Sequence, residues 1–196
     1  MKISEIKRNE IEKDEMRPIS RPFDLREALP FTVKGYKVSY RERSGGVRLV
    51  GVIDGDKVIA ELGLIPISYH GISAYAVELA SVAEDYQGRG LGLELYRKLV
   101  TDAGMTIASK HSHSQGARKT WARLSAAPGV AVYGFNTASN RVFEVSPSHD
   151  GAELAGKGSK DKLYGVSSTG VIMTKVGSQS DGVMQELLKL SQERSR

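Results

Sequence analysis

The sequence predicts one mixed α/β domain with a mostly antiparallel sheet flanked by helices, and three observations predict it. From Val33 to Val82, short runs of alternating or apolar residues are separated by glycine-containing turns. From Leu91 to Ala103 the apolar period becomes helical, directly after a glycine-rich turn. Beyond it come a short apolar run, a second helical stretch and more short apolar runs, the order of strand–helix–strand crossovers.

The elements follow in chain order. Residues 1–30 read as an arm or short amphipathic helix and then irregular chain, because Pro18, Pro22 and Pro30 break any long element. Val38 and Tyr40 alternate with Lys37, Ser39 and Arg41, a strand pattern. Val47–Ile53 and Lys57–Ile67 flank Asp54-Gly55, a hairpin signal. A turn at His70-Gly71 leads into a strand over Ile72–Val82. In the first helix Leu91, Leu95 and Leu99 share a face, Glu94, Arg97 and Lys98 lie mostly opposite, and Gly104 marks the stop. Met105–Ser109 is a short strand. Ser114 caps a second helix that runs to about Ala127 and closes at Pro128-Gly129. Val130–Phe135, Arg141–Val145, Leu163–Val166 and Val171–Val176 are strand candidates, residues 146–162 a surface loop, and Met184–Leu190 a short C-terminal helix. The expected organisation is an arm over 1–32, the main domain over 33–180 and a C-terminal helix over 181–196.

Composition bounds the chemistry. Of 196 residues, 40% are hydrophobic and 26% charged, enough for a sizeable core under an ordinary solvated surface. With no cysteine there is no disulfide, thiolate metal site or cysteine nucleophile. The N-terminus carries no apolar core of signal-peptide length, and no run of about 18 apolar residues occurs anywhere, so the expectation is a cytoplasmic protein that does not enter the membrane. Net charge is +5, concentrated in residues 85–125, where seven basic side chains face three acidic ones. Such a region is either a solvated basic face or the contact surface of a partner carrying phosphates.

The stretch Glu78-Leu79-Ala80-Ser81-Val82-Ala83-Glu84-Asp85-Tyr86-Gln87-Gly88-Arg89-Gly90-Leu91-Gly92 is a strand, a glycine turn and a helix start. Glycine lets a ligand approach the backbone closely, and helix-start amides favour an anion such as a pyrophosphate. A dinucleotide fingerprint fails at its third glycine, where Leu93 stands. A P-loop fails at Gly158, where the magnesium ligand belongs. The pattern Q/R-x-x-G-x-G/A is met by Gln87, Gly90 and Gly92.

This segment resembles the coenzyme A-binding segment of GNAT-type N-acetyltransferases, with Glu84 in place of the usual proline, and the order of elements from Val33 to about Val145 is similar too. The pattern also resembles divergent bacteriophage-borne members of that family. The resemblance implies a sheet with a splayed parallel pair of strands and acetyl-coenzyme A as cosubstrate. It implies cofactor contacts from Val82, Gln87, Gly88, Arg89, Gly90, Leu91 and Gly92, and from Ser114, which takes the position of an Asn that often opens the second helix. The implied reaction is direct attack of an amine on the thioester, with no acyl-enzyme and no metal. The acceptor is a small molecule or a protein. Nucleic acid is not the expected partner, although the second helix carries Arg118, Lys119 and Arg123 and no acid.

Glu78, four residues before Val82, is the general-base candidate on the resemblance, and strand alternation puts it on Val82's face. His111 and His113 are loop residues that could relay a proton or meet phosphate. Trp121 stands where many family members have a tyrosine that protonates the leaving thiolate, so water or another phenol such as Tyr133 must serve. That departure keeps a second reading open: a non-catalytic coenzyme A-binding or protein-interaction domain of the same fold.

Overall fold

The structure, a computed structural model, describes residues 27–109, 115–136, 139, 141–147 and 169–194. These form nine strands and three α-helices of a mixed α/β protein. They fall into two compact units. The first holds residues up to Ile67 together with Tyr75–Lys98, and the second holds Ser68–Ala74 together with the chain from Leu99 onward.

Strands β1 (Glu27–Val33), β2 (Tyr36–Glu42), β3 (Arg48–Asp54), β4 (Lys57–Tyr69) and β5 (Ile72–Val82) are neighbours in chain order, all in the first unit except the β4–β5 hairpin end, Ser68–Ala74, which belongs to the second. The ladders from β1 to β4 are antiparallel. Tight turns set the register. Lys34 and Gly35 are both left-handed, at φ 52° and 85°, as a two-residue hairpin loop of the primed type requires. His70 and Gly71 do the same between β4 and β5, at φ 47° and 80°. The β3–β4 loop is Gly55-Asp56, since Asp54 pairs with Lys57. The turn signal in the sequence therefore sits one residue later than Asp54-Gly55 suggests.

Strand β1 begins at Glu27, where the sequence reading has irregular chain as far as residue 30. Proline cannot donate to a ladder, so Pro30 argued against a strand. The register shifts between Ala28 and Thr32, and this irregularity contains Pro30. Val38, Val50, Val52, Leu62 and Leu64 are buried, and the pairings Val38↔Val52 and Val50↔Leu62 place them on one face. Helix α1 (Leu91–Thr101) buries Leu91 and Leu95 along one stripe in this unit.

In the second unit the strand order is β6 (Ile107–Ala108), β9 (Thr169–Lys175), β7 (Val130–Asn136) and β8 (Arg141–Glu144), all antiparallel. Aromatic rings fill the places of missing side chains. Gly134 pairs with Phe143 and Gly170 with Phe135, and a Cβ at either glycine would overlap the partner's ring. Phe135 also packs on Tyr69, with ring centroids 4.6 Å apart. Helix α2 (Gln115–Ser125) buries Trp121, Ala122 and Leu124.

Helix α3 (Gln179–Glu193) is twice the length its apolar residues suggest. Ser178 caps it, accepting a hydrogen bond from the Asp181 amide at 3.2 Å. That Ser-x-x-Asp spacing is a capping signature that periodicity alone passes over. Asp181 then anchors the helix from within. Its Oδ1 accepts from the Tyr133 hydroxyl at 2.7 Å and the Thr174 hydroxyl at 3.2 Å, and its Oδ2 from the Gly177 amide at 2.9 Å. Further along, Ser191 Oγ accepts from the Val142 amide of β8 at 2.9 Å. The expected loop over 146–162 and strand over Leu163–Val166 lie almost wholly outside the described residues. Among the described residues no helix is long and apolar enough to cross a membrane.

Candidate functional site

The glycine turn is built on the end of β5, within the first unit. The Ala83 amide donates to the Ile59 carbonyl at 2.9 Å, which fixes where the chain leaves the sheet. Residues Glu84–Tyr86 make one 3-10 turn, closed by Tyr86 N to Ala83 O at 2.9 Å and Gln87 N to Glu84 O at 3.1 Å. Gly88 and Gly90 follow at φ 73° and 76°, the left-handed region that side chains resist. The first bond of α1 runs from Glu94 N to Gly90 O at 3.1 Å. The amides of Leu91, Gly92 and Leu93 precede it, so they are the orphan donors of a helix start. These amides, with the helix dipole behind them, favour an anion.

Two hairpin turns buttress this geometry. The Tyr86 hydroxyl donates to Asp54 Oδ2 at 2.7 Å, beside the β3–β4 loop. That hydrogen bond, with burial adding to it, raises the phenol above its ordinary range. Tyr86 also meets the edge of Tyr36, centroids 6.2 Å apart. From the β1–β2 turn, Lys34 is held twice by Glu94. Its amide donates to Oε1 and its ammonium pairs with Oε2, both at 3.3 Å. Its Cε stands 4.0 Å from where a Cβ on Gly90 would be, so a cation sits beside the helix start. Sequence reading missed Lys34. Its only local signal was the Lys-Gly turn, and nothing in that dipeptide names Glu94 as its partner.

The structure brings Val82 and Gln87–Gly92 together, and it gives several of them local duties. Gln87 Nε2 donates back to the Val82 carbonyl at 3.1 Å. Arg89 donates to the Asp85 carbonyl at 2.7 Å and lies over the Tyr86 ring, 4.9 Å from its centroid. A Cβ on Gly92 would meet a Val82 methyl at 3.9 Å, ordinary contact, so Val82 turns its side chain toward α1. Glu78 is half-buried on β5. The buried Glu61 of β4 accepts a hydrogen bond from Ser81 Oγ of β5 at 2.9 Å, a carboxylate that sequence reading passed over.

Ser114, His111 and His113 lie outside the described residues. Trp121 is 3% exposed, part of the core of the second unit. Tyr133 is the other phenol named for the leaving thiolate. It is 1% exposed, its proton is engaged by Asp181, and its oxygen accepts from Gln185 Nε2 at 2.7 Å. Burial first and the Asp181 bond second raise its phenol further. Among the described residues no group of three or more His, Asp or Glu side chains is placed to hold a metal ion.

No family model matches the chain, and no curated protein matches its sequence.

Proposed function

We propose that the chain is an N-acetyltransferase that takes acetyl-coenzyme A on the Gln87–Gly92 turn and passes the acetyl group to an amine-bearing small molecule or protein. The finer architecture that goes with this reading, a GNAT-type sheet with a splayed parallel pair of strands, is part of the same proposal. One observation carries it: left-handed Gly88 and Gly90 open the backbone directly before the orphan amides of α1. The match of Gln87, Gly90 and Gly92 to the coenzyme A-binding pattern supports it. In this reading the diphosphate of the cofactor lies against those amides, with Lys34 and Arg89 as the nearby cations.

Titration calorimetry and thermal unfolding with acetyl-coenzyme A test it. At a hundredfold excess over Kd a ligand specific for the folded state adds about 2.7 kcal/mol, a rise in Tm of roughly 5–10 °C for a chain of this size. Gly90→Glu removes the effect by placing a side chain and a negative charge in the anion position. Absence of heat and of any Tm shift with the wild-type protein sinks the reading.

The second reading, a coenzyme A-binding module without catalysis, draws on buried Trp121 and on Tyr133 being engaged by Asp181. It predicts cofactor binding with no thiol release against small amines, peptides or a cell lysate.

A further inference from the structure

Glu61 is 6% exposed in the middle of β4, opposite Gly51 of β3. A carboxylate is costly to bury, and it persists where hydrogen bonds hold it or where it has a task. Ser81, the residue before Val82 on β5, is exposed and donates its hydroxyl proton to Glu61 Oε1 at 2.9 Å. That donation leaves the serine oxygen able to accept from a group arriving out of solvent. Alternation along β5 adds direction. Val82 turns toward α1 and Glu78 is in phase with it, whereas Ser81, itself exposed, points to the opposite side, that of Glu61.

We propose that Ser81 and Glu61 form the proton-accepting pair of the reaction, an inference that rests on the acetyl-transfer reading above. The ammonium of the acceptor gives a proton to Ser81 Oγ while Ser81 passes its own to the Glu61 carboxylate, so the serine ends as it began. The neutral amine forms its C–N bond to the thioester carbonyl, the C–S bond breaks, and the second N–H proton reaches the departing thiolate through solvent. Glu61 then returns its proton to water. Ser81 touches the substrate; Glu61 acts through it. The pair takes the proton in preference to Glu78.

The test begins with thiol release from acetyl-coenzyme A by the wild-type protein against polyamines, amino acids, aminoglycosides and lysine-containing peptides. With the best of these amines, kcat and KM are measured across pH for the wild type, Ser81→Ala, Ser81→Thr, Glu61→Gln and Glu78→Gln. General-base catalysis is typically worth about 10²–10⁴-fold. Glu61→Gln loses kcat in that range and its acid limb flattens, while KM for acetyl-coenzyme A stays put. Ser81→Ala loses at least about tenfold, and Ser81→Thr recovers most of it because the hydroxyl returns. If Glu61→Gln fails to fold, the exposed Ser81 variants decide alone. A Ser81→Ala enzyme with wild-type kcat and an unchanged acid limb overturns the pair, as does an acid limb lost in Glu78→Gln alone. Both leave acetyl transfer standing. Bound cofactor with no thiol release from the wild type for any amine overturns the transfer reading, and the pair falls with it.

Discussion

Gly134 and Gly182 make opposite demands on the same substitution. A Cβ on Gly134 would enter the ring of Phe143 across the β7–β8 pair, so the ring or the strand must shift to admit it. Overpacking of this kind costs about 1–3 kcal/mol. Gly134→Ala is therefore expected to lower Tm by several degrees in a thermal melt, and an unchanged Tm would show that the ring swings aside. Gly182 lies inside α3 with helical φ and open space where its Cβ would stand. There alanine reduces the freedom of the unfolded chain without a clash, so Gly182→Ala should stabilise by about 0.5–1 kcal/mol. Both glycines look alike in the sequence. Gly134 stands in an apolar strand and Gly182 in a polar run, yet neither context says that a ring occupies one site and solvent the other.

Helix α3 is held as much by its buried carboxylate as by its apolar stripe. Asp181 satisfies the Tyr133 and Thr174 hydroxyls and the Gly177 amide at once. Asp181→Ala leaves the buried Tyr133 and Thr174 hydroxyls without this acceptor, at about 1–3 kcal/mol for each unsatisfied group. Urea unfolding should therefore show a clearly lower midpoint with an unchanged slope. A midpoint equal to that of the wild type would mean that water takes over every one of these bonds. The helix was only half legible in the sequence. Met184 and Leu188 announced its apolar stripe, and Ser178-x-x-Asp181 announced its start to a reader looking for caps. Strand β1 was less legible still, because Pro30 contradicts a strand unless the ladder is known to be irregular there.

Three phenols make the folded protein sensitive to alkali. Burial pushes Tyr69 from an ordinary value of 10.0 up to about 12. Tyr96 and Tyr133 are raised as well, the first by burial alone and the second by burial with its Asp181 bond. A raised pKa in the folded state means that the fold favours the neutral phenol. The stability tied to Tyr69 is complete below about pH 10, where the unfolded chain also holds its proton. It is lost as pH rises from there through about 12. Melting temperature measured against pH should fall across that window, while tyrosinate absorbance in the folded protein lags behind that of the unfolded chain. Tyr69→Phe should soften the fall. A flat Tm up to pH 12 would sink the argument.

The mixed α/β class, a hairpin turn near Gly55 and another at His70-Gly71, the helix from Leu91 and the glycine turn in front of it are all readable from the amino-acid order. These are local properties. Alternation, a 3.6-residue period and a glycine at a left-handed position each act over a few neighbouring residues. Which residues support the turn, and which polar groups are buried against a partner, follows from tertiary packing. Glu61 finds Ser81 across 20 positions, Asp54 finds Tyr86 across 32, Asp181 finds Tyr133 across 48 and Glu94 finds Lys34 across 60. The physical reason is that a periodic pattern states which way a side chain faces on its own strand or helix. Strand order, register and helix placement state what it faces, and those are set by packing of the whole core.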